Sequence, residues 1–311
     1  MVDGRIKLRH LQCFLAVAQQ RSIQQAADTL SVTQPAVSKS LRELESILGT
    51  RLFERGRRGT VATRDGELFL RHAGAALSAL REGVARLGAA RGGRPLRLAV
   101  GVLPTVAPAL LTDALAGWDG GGQPLQVTVT EGPNDLLLGL LRRGEVELVV
   151  GRLTDPDRLD GLSFEHLRAD PLVLAVRPGH PLLAETAPTL SRVNGYRVVL
   201  PTRGTVIRHT ADSFATGRGV GPWRDCVETL SVSLGRALAR ASDAVWFVPR
   251  GAVRDDLRDG TLVALPIPTP GTDEPLGLTV RAQAPLSAPA AALVARLRAA
   301  AAGPRAAADP S

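Results

Sequence analysis

Lysine is almost missing from this 311-residue chain: Lys7 and Lys39 are the only two, although Lys and Arg together number 38. Arginine, alanine and glycine abound instead, which reflects genomic base composition, so the arginine preference by itself argues for no function. Cysteine is equally scarce. Cys13 and Cys226 lie far apart and make no metal-spaced cluster, so buried free thiols in a reducing compartment are expected. Five histidines (His10, His72, His166, His180 and His209) are dispersed and read as core or surface residues. No apolar run approaches the roughly 18 uncharged residues of a membrane helix. The first residues, "MVDGRIKLRHLQCF", scatter charge where an export signal would carry an apolar core. A cytoplasmic protein without a membrane partner is therefore expected. Walker loop, G-x-S-x-G elbow and H-E-x-x-H are all absent, and "GRGVG" (217–221) follows no clear strand. The sequence thus assigns no catalytic residue, metal ligand or cofactor, and an enzyme is not expected.

What is present is positive charge, unevenly spread. Residues 1–93 hold 15 Lys+Arg against 8 Asp+Glu, whereas residues 94–311 hold 23 against 22. A basic first third on a near-neutral body suits a polyanionic partner, most often nucleic acid. A solvated basic surface is the alternative that charge alone leaves open.

Local pattern sharpens this. Leu8, Leu11, Phe14, Leu15 and Ala18 form one face of a helix near 7–20. Ser22 and Gln25 stand at capping-box spacing and open a second, short helix with Ile23, Ala26, Ala27 and Leu30. In "SVTQPAVSKSLRELE" (31–45), Val37, Leu41, Leu44 and Leu48 recur at helical spacing. Pro35 fits there because a first-turn N–H has no intrahelical partner, given Thr33 as N-cap. Two short helices joined by a tight turn have helix-turn-helix spacing, in which the second helix offers its N-terminal residues to the major groove. Gln34 suits adenine through a bidentate amide contact, and Ser38 suits base or phosphate. Thr33, Lys39 and Arg42 are placed for backbone phosphates or nearby bases. "LFERGRRGTVAT" (52–63) reads as a hairpin whose turn carries Arg55, Arg57 and Arg58, a wing against the DNA backbone. A plain three-helix packing unit with polar caps remains the alternative. From Thr63 a heptad-like seam (Phe69, Ala73, Ala76, Leu80, Gly83, Leu87) runs to about residue 89, long enough to pair with another helix. "ARGGRP" (90–95) then ends it as a linker.

The stretch "IQQAADTLSVTQPAVSKSLRELESILGTRLFERGRRGTVATRDGELFL" closely resembles the N-terminal region of LysR-type transcriptional regulators. The resemblance spans roughly residues 5–300. It implies an α/β protein with an N-terminal winged helix-turn-helix (5–63), a linker helix for dimerisation (64–93) and an effector domain (94–303). That domain would resemble periplasmic binding proteins, with one lobe of 94–169 and 270–303 and another of 170–269. It also implies a recognition helix beginning near Thr33 with Gln34, Pro35 and Ser38 at DNA, double-stranded promoter DNA as partner, and a homo-tetramer. Contact with RNA polymerase would follow from an activator role. Three segments, "RIKLRHLQCFLAVAQQ", "GELFLRHAGAALSALREGV" and "VETLSVSLGRALARASDAVWFVP", look like regulators of protocatechuate catabolism, which implies a polycarboxylate effector such as a carboxy-muconate. Galactose-binding-protein-type LysR regulators share similar segments, so a sugar remains the alternative effector. A solute-binding protein would share the α/β half but lack the basic N-terminal module.

Beyond residue 95, short apolar runs alternate with helical ones. "LRLAVGV", "LQVTVTE" and "VELVVG" read as strands, and "PTVAPALLTDALAGW" (104–118) and "PNDLLLGLLRRG" read as helices. "LVLAVRP", "RVVLP", "AVWFVP" and "LGLTVR" add strands, and the alternation predicts parallel sheet. Ligands bind such sheets beyond the carboxyl ends of strands, where helix N-termini receive anions. "GVLPT", "TEGPND" and "LPTRGT" qualify, which nominates Thr105, Asn134, Thr202, Arg203 and Thr205. Arg152 follows "VVG" and faces the cleft from the first lobe. "VETLS" adds Glu228, Thr229 and Ser231. For each of these, an ordinary helix cap or surface arginine is the competing reading; Arg203 and Thr105 are the first choices.

Overall fold

Three short helices open the chain, each ending where its apolar spacing ends. The computed structural model describes residues 4–56, 59–90, 95–120, 122, 124–282 and 284–303. In it α1 is Leu8–Gln20, α2 Ile23–Leu30 and α3 Gln34–Leu48, followed by the hairpin β1 (Phe53–Gly56) and β2 (Gly59–Ala62) and the long α4, Arg64–Ala90. Ser22 Oγ accepts the Gln25 N–H, as its capping-box spacing predicts, and Thr63 Oγ1 accepts that of Gly66 and caps α4. Pro35 occupies the first turn of α3, and Gly49 closes it at φ +69°. Phe14, Val17, Ala26, Ala27, Val37, Leu41, Leu44 and Leu52 are buried together. The Phe14 ring lies 5.1 Å from the rings of both Phe53 and Phe69, which joins hairpin and α4 to the same core. Gly59 has φ +110°, and a Cβ there would meet the Arg21 carbonyl at 2.5 Å. That carbonyl accepts the Thr60 N–H and pins the wing to the end of α1.

The next stretch runs β3 (Leu96–Val102), a π turn (Ala107–Leu111), α5 (Thr112–Leu115), β4 (Leu125–Glu131), α6 (Asn134–Arg143), β5 (Leu148–Arg152) and β6 (Leu162–Asp170). Then come β7 (Leu172–Val176), α7 (Leu190–Val193), β8 (Val198–Leu200), α8 (Val206–Thr216), β9 (Cys226–Glu228), α9 (Val232–Ala241), β10 (Val245–Pro249), α10 (Arg254–Arg258) and β11 (Val263–Ala264). The chain closes with β12 (Glu274–Arg281) and α11 (Ala288–Ala302).

These strands make two five-stranded sheets, β4-β3-β5-β12-β6 and β11-β7-β10-β8-β9. Both are mixed, which corrects the expectation of parallel sheet. The β3–β4, β3–β5, β8–β9 and β8–β10 pairs are parallel, as βαβ alternation requires. Strand β12 returns from the second sheet without a crossover helix and enters antiparallel between β5 and β6. Strand β7 likewise pairs antiparallel with β10. The helix expected over 104–118 is shorter than its pattern: one π turn and one α turn, stopped where Ala116 leaves the helical region and Gly117 takes φ +66°. Cys13 is buried but Cys226 is exposed on the edge strand β9, so the expectation of two buried thiols holds for the first alone.

Leu98, Val100, Leu110, Leu148, Leu278 and Leu293 fill one face of the first sheet. Leu137, Leu138 and Leu141 of α6 fill the other. Leu174, Val198, Phe214 and Phe247 form the larger core of the second lobe. Two crossings join the lobes, at Asp170–Leu172 and between β11 and β12, and they are stitched together where Thr272 Oγ1 accepts the Leu172 N–H.

Candidate functional site

Apolar spacing decides which side of α3 is free. With Val37, Leu41 and Leu44 buried, Thr33, Gln34, Pro35, Lys39 and Arg42 are exposed and Ser38 is half-buried. Thr33 makes no side-chain cap bond, so its hydroxyl is not spent on the helix. The structure therefore gathers six of the nominated DNA residues on one surface at the N-terminal half of α3. Glu43, on the other side, accepts from Arg9 at 2.8 Å and contacts His10 Nε2 at 3.1 Å, which locks α3 against α1. Those bonds, Arg9 first, hold its carboxyl below the usual carboxylate range. Arg55 lies on β1, paired with Thr60 across the hairpin. Arg57 and Arg58 lie outside the described residues.

Between the lobes is a cleft of about 620 Å³, open mouth included. Strand ends and helix starts meet there. Thr105 follows β3, Asn134 opens α6, Arg152 ends β5, and Thr205 caps α8 by accepting the Arg208 N–H. All four were nominated from the sequence. Thr229 and Ser231 line a smaller pocket beside it, which shares Thr105, Ile207 and Leu230 with the main cleft. Leu103, Pro104, Pro133, Val206, Ile207 and Leu230 give the walls their apolar surface.

Arg152 is the most constrained of the group. Its side chain is 1% exposed; Nη1 donates to Thr105 Oγ1 at 2.9 Å and Nη2 to Asp170 Oδ2 at 2.8 Å. Asp170 Oδ1 in turn accepts the Gly251 N–H of the other lobe at 2.9 Å. Burial pulls the Arg152 guanidinium below its ordinary range, and the charges of Asp170 and Glu274 oppose that. Its Nε is buried with no hydrogen-bond partner among the described residues.

Thr202 and Arg203 do not line either pocket. The Arg203 side chain is 82% exposed and pairs with Glu228 at 3.3 Å. Glu228 also holds the buried Arg208 at 2.8 Å, and that hydrogen bond, ahead of the one from Arg203, keeps its carboxyl below the usual range. Glu228 thus braces α8 from behind. Arg158 lines the cleft and was not nominated; it sits in the loop after β5, beside Asp135 of α6.

Helix α6 also reaches away from the cleft. Its far end lies against α4, where a Cβ on Gly74 would meet the Arg142 carbonyl at 2.7 Å. Just beyond it, Glu145 accepts from Gln19 of α1 at 3.1 Å. One ten-residue helix, about 15 Å long, therefore spans from the cleft to the first three-helix module. Among the described residues no group of His, Cys, Asp or Glu is placed to hold a metal ion, and no helix is long and apolar enough to cross a membrane.

Comparison with known proteins places two family models on the chain. "Bacterial regulatory helix-turn-helix protein, lysR family" matches residues 8–67. "LysR substrate binding domain" matches residues 91–302. The HTH-type transcriptional regulator PcaQ of Agrobacterium fabrum is 45% identical over 303 residues, covering 97% of each chain. An uncharacterised HTH-type regulator of Escherichia coli, YdcI, is 43% identical, covering 92% of this chain and 93% of its own. The crystal structure of ArgP from Mycobacterium tuberculosis superposes with a TM-score of 0.72 at 22% identity, over 97% and 98% of the two chains.

Proposed function

The chain belongs to the LysR family of helix-turn-helix transcriptional regulators, and from that premise we propose that it senses a small organic acid of protocatechuate catabolism and passes the signal to promoter DNA. The observation that carries the effector half is the cleft: a buried arginine whose Nε has no partner among the described residues, the Thr105 hydroxyl and the start of α6 converge on apolar walls. Such a site favours a carboxylate attached to a carbon skeleton. The likeness to PcaQ supports the same pathway. Galactose-type ligands would leave the Arg152 donor without an anion.

In this reading Thr33, Gln34, Pro35, Ser38, Lys39 and Arg42 meet DNA, with Arg55, Arg57 and Arg58 flanking it as a wing. Residues 64–93 pair with a second copy. Leu68, Leu80 and Val84 are about half exposed or more on α4 and supply apolar surface for that pairing. A tetramer built from two such dimers places paired recognition helices on one promoter, and an activator role brings polymerase within reach. Signalling is a population shift: a ligand that binds the closed cleft better than the open one changes how subunits pack. Helix α6, touching both the cleft and α4, is the path this reading uses.

Thermal unfolding of the full chain with protocatechuate, β-carboxymuconate, β-ketoadipate, cis,cis-muconate and galactose tests the effector. An acid present at about a hundred times its dissociation constant should stabilise by about 2.7 kcal/mol. Stabilisation by galactose alone would replace the acid with a sugar.

A further inference from the structure

We propose that Arg158 determines how many carboxylates the effector must carry: it takes a second carboxylate that Arg152 cannot serve. The inference rests on the organic-acid reading of the cleft and goes beyond it in assigning a selectivity role to a residue that neither motif nor strand pattern singles out.

The cleft wall contains two cations among the described residues, Arg152 and Arg158, and they differ in what they can offer. Arg152 is already balanced by Asp170, Thr105 takes a further N–H, its side chain is only 1% exposed, and Nε is its one nitrogen with no partner among the described residues. A guanidinium so little exposed and already balanced, with the Thr105 hydroxyl beside it, suits one carboxylate; the Thr205 hydroxyl is taken up by the Thr202 carbonyl. A second carboxylate brought into the same low-dielectric corner would have no cation left to balance it.

Arg158 is the opposite case. Its side chain is 50% exposed, its partner Asp135 is 71% exposed, and Asp155, 3.8 Å from its Nε, is 81% exposed. Ion pairs this open are worth little and exchange readily. Asp135 has a further property: it stands in the first turn of α6, where the free N–H groups and the helix dipole favour an anion whether or not Arg158 is present. A ligand carboxylate can therefore take the Arg158 fork while Asp135 stays stabilised where it is. Asp135 acts as a counter-anion that holds Arg158 at the mouth and competes weakly for it. A monoacid does not pay back that exchange, because its single carboxylate is already spent on Arg152.

The two variants move affinity in opposite directions, which a merely structural role would not do. Both residues are surface-exposed, so Arg158→Gln and Asp135→Asn should leave the unfolding midpoint nearly unchanged. Titration calorimetry of the full chain would use cis,cis-muconate and β-ketoadipate as diacids and protocatechuate as a monoacid. Arg158→Gln should weaken both diacids by about tenfold or more while leaving protocatechuate unchanged. Asp135→Asn should tighten the diacids. Equal loss for monoacid and diacid, or no loss for either, would overturn the role of Arg158 while leaving the acid reading intact. Failure of the unaltered protein to bind any of the three acids would overturn the acid reading first, and this inference with it.

Discussion

Arg152→Ala should lower the stability of the protein by about 3–5 kcal/mol, the usual result of removing one member of a buried ion pair. The reason is what remains. Asp170 is 4% exposed and would lose the Arg152 guanidinium while retaining the Gly251 N–H as a partner. Because Asp170 stands at the crossing between lobes, the cost falls on the region that sets the angle of the cleft. Urea unfolding of the variant should show an earlier transition, and acid binding should be lost with it. Arg203→Ala provides the contrast. Its side chain is 82% exposed and its partner Glu228 keeps Arg208, so stability should change by no more than about 0.5 kcal/mol. Equal effects from the two substitutions would mean that Arg152 does not carry the buried charge of Asp170.

Gln34→Ala should cost about 1–3 kcal/mol in binding to the preferred DNA sequence and almost nothing in binding to random duplex. Gln34 is exposed at the start of α3, and no hydrogen bond within the chain occupies its amide among those described, so its truncation leaves the module's core intact. Arg57→Ala should act differently, weakening all duplexes alike and reducing the salt dependence by about one released counterion. Fluorescence anisotropy over a range of salt concentrations separates the two. If both variants lost specific and random DNA equally, α3 would not be the element that reads bases.

How much of this was legible in the sequence follows from how local each feature is. The N-terminal module was readable almost residue by residue because its signals are short-range: Ser22 with Gln25, Pro35 in a first turn, and Val37, Leu41, Leu44 and Leu48 at helical spacing. In the α/β half β3, β4, β5, β7, β8, β10 and β12 were readable as apolar runs for the same reason, whereas β6, β9 and β11 were not read as strands. Sheet direction was not, because the antiparallel entry of β12 depends on where the chain returns after building a whole second lobe. The cleft divides along the same line. Thr105, Asn134, Arg152 and Thr205 lie where strand ends meet helix starts, a rule that sequence order alone can apply. Arg203 belongs to the same kind of turn, yet its side chain points to solvent, and nothing local to "LPTRGT" shows that. Arg158 was missed because only the folding of its loop back onto the start of α6 brings it to the cleft. The tie from Arg152 to Asp170 spans 18 residues and two strands, so neither residue announces the other.

The most direct measurement of the central claim combines both halves of the molecule. The full chain would first select its preferred duplex from a random pool, and footprinting on that duplex would then be recorded with and without β-carboxymuconate. The account predicts an enriched sequence with paired half-sites, protected in the absence of ligand, whose footprint changes in length or spacing when the acid is added. A sequence-specific footprint that stays identical at saturating β-carboxymuconate, β-ketoadipate and cis,cis-muconate would contradict the claim that the cleft reports an organic acid to DNA.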